Sequence, residues 1–265
     1  AQLEEAWERG QMIYVEGDPG VGKSRLVMDF AASKGTFLEF RGRPGDLHQP
    51  FTSSARNYRV LAERLGNVPL EPWVQRELGR VLPEYAPAGD AAAPLTSGAD
   101  LLRYRQAMTA FSYVGYRGVD TVIADDLQFY DAPSTRDGLY FFSNLFGTPR
   151  DPDRPAPRVI GAYRTGELMP EVQRDTEELV RQGIAVHIRL RPLGDDLLGP
   201  LMDDLGVPDD PALRRRLAHY SGGSPLFLLE IVKHLIESGT FARGELSGLN
   251  LPITCLLYTS PSPRD

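Results

Sequence analysis

The chain has 265 residues, 42% of them hydrophobic and 25% charged, which supplies a packed core and excludes global disorder. Acidic residues outnumber basic ones 36 to 29, a net charge of -7, and this argues against direct nucleic-acid contact. The opening Ala1-Gln2-Leu3-Glu4-Glu5 lacks signal-peptide pattern, no apolar run is long enough for a bilayer, and the one cysteine, Cys255, excludes an intrachain disulfide. These features together lead to the expectation of a cytoplasmic protein without membrane contact.

In chain order, Met12 to Glu16 is a short β-rich run that ends at Gly17. Residues 23–33 have helical spacing, with Leu26, Val27 and Phe30 on one side and Gly35 as a stop. A second strand is expected over 36–40, then helices over 51–65 and 72–82. The Pro-, Ala- and Gly-rich stretch 83–96 reads as a connection. Ser97 with Asp100 forms a capping-box pattern for a helix to about 114.

The next strand is expected over 119–124, and Ser134 with Asp137 is expected to cap a helix that runs to 145. The proline-dense segment 147–157 excludes regular structure. A strand over 158–163, a helix over 170–182 and a strand over 184–190 complete an alternation that implies a parallel sheet covered on both faces. Helices alone follow, over 195–205, 211–220 and 225–238. The fold expected is α/β with a small all-helical subdomain after it: a core over 1–191 and a helical lid over 192–254.

Both ends are unusual. The chain starts without methionine inside a helical pattern, and 255–265 resembles the translation of a sequencing adapter, so native sequence is expected to end near Thr254. A natural Ser/Pro-rich tail is the alternative reading, and either way the segment is set aside from fold reasoning.

Gly17-Asp18-Pro19-Gly20-Val21-Gly22-Lys23-Ser24 matches the full phosphate-loop pattern between a strand and a helix. Its glycines let successive N–H groups converge on phosphate oxygens, and the helix start adds positive dipole. Lys23 is placed for the β/γ-phosphates, and Ser24 for Mg²⁺. Only three lysines occur in the chain, Lys23, Lys34 and Lys233. The expected ligand is ATP with Mg²⁺, and Arg25 is counted with the loop as nucleotide-binding.

Thr121 to Asp126 is an apolar strand that ends in two adjacent carboxylates, at the edge where ligands bind in open α/β sheets. Beside a phosphate loop, Asp125 is expected to hold Mg²⁺ and Asp126 to polarise the attacking water. Strand neighbours point to opposite faces, so sharing one site requires a turn there. Arg164, after Gly161-Ala162-Tyr163, is placed to reach a γ-phosphate, with a plain surface arginine as the alternative. Gly222-Gly223-Ser224-Pro225 reads on periodicity as a helix stop, an N-cap serine and a first-turn proline. The polar stripe Glu230, Lys233, His234 and Glu237 implies that the opposite face of that helix is buried.

In this order the four elements resemble the STAND class of signal-transduction ATPases, a branch of the AAA-like and ORC-like NTPases. The likeness is strongest to the ATPase module of large bacterial LuxR-like and SARP-type transcriptional regulators. It rests on Gly17–Leu26, Arg43-Pro44-Gly45-Asp46, Val122–Ser134, Gly161–Arg164 and Gly222–Phe227. The resemblance implies that Arg164 is a sensor arginine and that Pro225 belongs to a G-x-P segment closing the helical subdomain over adenine. The chain departs from the family at Gln128-Phe129-Tyr130, where His-Trp-Ala is common, and at Ser224, where Asn is common.

The function so implied is a slow regulatory ATPase switch in a multidomain protein. Its sensor and DNA-binding regions would lie elsewhere, with a nucleotide-dependent oligomer possible. The rival readings are a nucleotide-dependent scaffold without turnover and a DNA-associated ORC-like ATPase. A phosphate-loop kinase is a weaker third, because no basic lid pattern is evident.

Overall fold

The computed structural model describes residues 1–66, 69–87, 95, 97–146 and 156–237. The irregular segment expected over 147–157 lies outside them except for its last two residues, as does the tail with Cys255. By contact the chain forms two compact units, one of Ala1–Glu16 with Ser24–Ile188, the other of Gly17–Lys23 with the chain from Arg189 onward.

The first unit is built on a five-stranded sheet. Its strands are β1 (Met12–Gly17), β2 (Phe37–Arg41), β3 (Thr121–Asp125), β4 (Arg158–Arg164) and β5 (Ala185–Arg189), in the order β2-β3-β4-β1-β5. β2 runs parallel to β3, pairing Arg41 with Asp125, and β3 runs parallel to β4, pairing Ala124 with Gly161. All six residues of β1 are buried, the pattern of a strand covered on both faces.

One face carries Met12, Tyr14, Phe40, Val122 and Val159, which join the large hydrophobic cluster. That cluster also draws on α3 (Thr52–Leu65), α4 (Pro72–Leu78), α5 (Gly98–Gly115), α6 (Ala132–Phe146) and α7 (Pro170–Arg181). Ile13, Val15, Ile123 and Ile160 alternate with the first set and are also buried, so the second face is covered as well.

Two further helices lie in this unit, α1 (Gln2–Arg9) and α2 (Lys23–Lys34), the latter beginning one residue before the unit's boundary. Trp7 of α1 meets the Phe30 ring of α2 edge-on at 5.8 Å, and Lys34 pairs with Glu4.

Ser97 and Asp100 make the expected capping box at α5. The expected cap of α6 is different: the helix begins at Ala132, and Asp131 accepts the Ser134 N–H at 3.0 Å. Ser134 therefore sits inside the first turn, and its hydroxyl also donates to Asp131 at 2.7 Å. An aspartate three residues earlier captured the orphan amide first.

In the second unit, α8 (Asp195–Asp204), α9 (Pro211–Ser221) and α10 (Pro225–Glu237) share a core of Leu198, Met202, Leu213, Leu217, Leu228, Ile231, Val232 and Leu235. Asp210 caps α9 by accepting from Ala212 N–H at 2.8 Å, and Gly222 ends it in the left-handed region. The buried face of α10 is the expected one, although Leu226, Leu229 and Ile236 are exposed beside the polar stripe.

Candidate nucleotide site

The loop after β1 curls as its glycines permit, with φ +76° at Gly20 and +98° at Gly22. Val21 N–H donates to the Asp18 carbonyl at 3.3 Å, closing a turn. Lys23 is buried at the start of α2, and its ammonium donates to the carbonyls of Gly17 at 2.8 Å and Asp18 at 2.9 Å. The loop's own backbone thus holds the cation at its rim.

Within the same unit the loop is tied to the start of α10. The Gly20 carbonyl accepts from Ser224 Oγ at 3.0 Å and from Leu226 N–H at 3.3 Å. The Ser224 hydroxyl also caps α10 by accepting from Phe227 N–H at 3.4 Å, the N-cap role expected of it. A methyl group on Gly20 would sit 2.7 Å from that hydroxyl. Pro225, the first residue of α10, lies between these two contacts in sequence. Arg25, by contrast, is exposed and paired with Asp29 one turn along α2 at 2.5 Å.

In the first unit, β3 and β4 are parallel, so Asp125 and Arg164, their last residues, both lie at the carboxyl ends of the strands. Asp125 is buried, and its Oδ2 accepts from Arg41 Nη2 at 2.9 Å. Asp126 has φ 51° and ψ 43°, one of two positive-φ non-glycine residues among those described. This is the turn the adjacent carboxylates require: Arg41 Nε lies 3.9 Å from Asp126 Oδ2, so one guanidinium faces both acids. The Arg41 pKa is raised, chiefly by its hydrogen bond to Asp125. Sequence reasoning did not single out Arg41. Its signal was its place at the end of β2, in register with Asp125.

Gln128, which the sequence marks only as a departure from the family pattern, is 3% exposed. Its Nε2 donates to Asp126 Oδ1 at 2.9 Å, while its Oε1 accepts from Arg164 N–H at 3.2 Å. The Arg164 guanidinium lies over the Phe129 ring, 5.3 Å from its centre, with Glu167 3.7 Å away. Asp131 is a second residue missed. It is buried and accepts from Phe51 N–H at 2.8 Å and Ser53 N–H at 3.0 Å, besides its two bonds from Ser134.

Among the described residues no group of three His, Cys, Asp or Glu side chains is arranged to hold a metal by itself. Ser24 and Asp125 offer a hydroxyl and a carboxylate oxygen, donors that suit a hard cation which keeps waters and takes further ligands from phosphate. No helix of the described residues is long and apolar enough to cross a membrane.

Neither a protein-family model nor a curated protein matches the chain. It is similar in structure to a Walker-type ATPase of Pyrococcus abyssi, at 12% identity and TM-score 0.52, covering 92% of this chain and 68% of that one. A STAND protein with a tetratricopeptide-repeat sensor from Pyrococcus horikoshii matches at 14% identity and TM-score 0.51, over 97% of this chain and 31% of its own. Domain III of the Thermotoga maritima replication initiation protein DnaA matches at 14% identity and TM-score 0.51, over 98% and 90%. The chain spans 60% of the length of a Thermotoga maritima RuvB chain.

At such identities the likeness speaks for architecture. The fold is the α/β one of P-loop NTPases, a parallel sheet with helices, followed in sequence by a helical unit.

Proposed function

We propose that this chain binds ATP with Mg²⁺ through Gly17–Ser24 and hydrolyses it slowly, as the switch module of a larger bacterial signalling or transcriptional regulator. The observation that carries the reading is the loop conformation: glycines in left-handed geometry, followed by a buried lysine at a helix start. Such a loop presents converging N–H groups and one positive charge to phosphate oxygens.

Ser24 and Asp125 would hold Mg²⁺, which when bound offsets phosphate charge. Lys23 binds the β/γ-phosphates. Asp126 orients a water whose oxygen bonds to the γ-phosphorus as the bond to the bridging oxygen breaks. ADP leaves with that electron pair, and Asp126 accepts the proton of the water. Arg164 would sense the γ-phosphate and Pro225 would border the adenine. Loss of the γ-phosphate contact on hydrolysis would then reset the switch. The link between loop and α10 through Ser224 supports a role for the helical unit in nucleotide response. A core over 1–191 with a lid over 192–254 remains the domain division we propose, with sensor and DNA-binding regions elsewhere in the protein.

The test is Lys23→Ala. ATP affinity by calorimetry is expected to fall roughly 10- to 150-fold, the worth of one charge-assisted hydrogen bond to phosphate. Unchanged affinity would sink the proposal.

A further inference from the structure

We propose that Gln128 is a positioning residue for the hydrolytic step, its amide fixing the Asp126 carboxylate against the backbone at the end of β4. The inference rests on the function proposed above for Asp126 and deepens it.

Asp126 stands just past β3 in the left-handed region, which no strand or helix enforces. The short 3-10 turn that follows, closed by Phe129 N–H to the Asp126 carbonyl at 2.9 Å, holds its backbone but not its carboxylate, which the Arg41 guanidinium approaches only to 3.9 Å. Gln128 supplies what that turn lacks. Its two amide ends are spent on different segments, Nε2 on Asp126 Oδ1 just past β3 at 2.9 Å and Oε1 on the Arg164 N–H at the end of β4 at 3.2 Å.

Chemistry fixes the amide orientation, since an ionised carboxylate only accepts and a backbone N–H only donates. Buried as it is, Gln128 must place its amide hydrogens on an acceptor. The acceptor it meets is a carboxylate 29% exposed, so the bond restrains a side chain that burial alone does not hold. The next residue acts in parallel: the Phe129 ring carries the Arg164 guanidinium. Neighbouring side chains of one turn thus set both the acid and the arginine.

The test compares Gln128→Met, which keeps the length of the side chain without its polar ends, with Gln128→His, whose neutral ring retains one donor and one acceptor. The Met variant is expected to bind ATP within about two-fold of wild type. Its single-turnover hydrolysis should be slower by about 10- to 100-fold, as for a displaced reacting group. The His variant should recover most of that loss. In an Asp126→Asn background Gln128→Met should add nothing, because it acts through that carboxylate.

A Met variant turning over at the wild-type rate would overturn the inference, as would a loss that persists in full on top of Asp126→Asn. If the Met variant does not fold, Gln128→Glu carries the same comparison, its extra carboxylate facing Asp126. Amide exchange at Arg164 reads the link without nucleotide: protection should fall about ten-fold in Gln128→Met, and unchanged protection would also overturn it. A wild type without turnover would defeat the function reading itself, while the exchange data still decide the link.

Discussion

Ser224 Oγ donates to the Gly20 carbonyl at 3.0 Å, joining the residue before α10 to a loop 204 positions earlier in the chain. A side chain at Gly20 would strike that hydroxyl and would occupy φ +76°. Gly20→Ala should therefore strain the loop by about 1–2 kcal/mol and weaken ATP binding roughly ten-fold. Calorimetric titration checks it, and wild-type affinity would show that the loop tolerates the change.

Asp126→Asn keeps the size of the side chain and its bond from Gln128 but cannot take a proton. Nucleotide affinity should hold, while turnover drops by about 10²- to 10⁴-fold, the usual worth of a general base. Phosphate release under single-turnover conditions decides this. A variant as fast as wild type would move the base elsewhere.

Asp131 gathers amides from the starts of two helices, Phe51 and Ser53 at α3 and Ser134 at α6. Asp131→Ala strands them in a buried place and should cost about 2–4 kcal/mol. The melting temperature would then fall by about 5–15 °C. Asp131→Asn, keeping one acceptor oxygen, should lose less. Thermal unfolding followed by circular dichroism gives the comparison, and equal losses in the two variants would contradict the shared-cap account.

Asp137 is buried with Arg105 Nε at 3.0 Å, and its pKa is raised above the ordinary 3.8 because burial outweighs the arginine. A carboxyl shifted upward contributes stability below its unfolded pKa and loses it as pH rises through the folded value. Asp137→Asn titrates at no pH. The stability of the wild type relative to this variant should fall as pH rises from about 4 and level off above the folded pKa. Denaturant unfolding across that range measures it, and a pH-independent difference would mean that Asp137 is not shifted.

What the sequence made legible was local. The loop Gly17–Ser24, the acid pair after a five-residue apolar strand and the Ser97 capping box each lie within a few positions, so spacing alone exposes them. The contacts of Arg41 and Gln128 join residues 84 and 36 positions apart and depend on strand order and register. No periodicity encodes those. The cap of α6 failed for a nearer reason: Asp131 and Ser134 both fit the rule, and the earlier one holds the amide. Arg25 belongs to the motif stretch by adjacency, but helix periodicity turns it outward toward Asp29.

Arg41 has one more consequence. Two adjacent carboxylates at a strand tip would repel each other and resist burial, yet Asp125 is only 2% exposed. The guanidinium from the neighbouring strand offsets one of the two charges from within the chain, bonding Asp125 and facing Asp126. Burial of Asp125 therefore has its counter-charge in the sheet itself and does not depend on a cation from solution. The melting temperature is accordingly expected to be indifferent to a chelator of divalent cations.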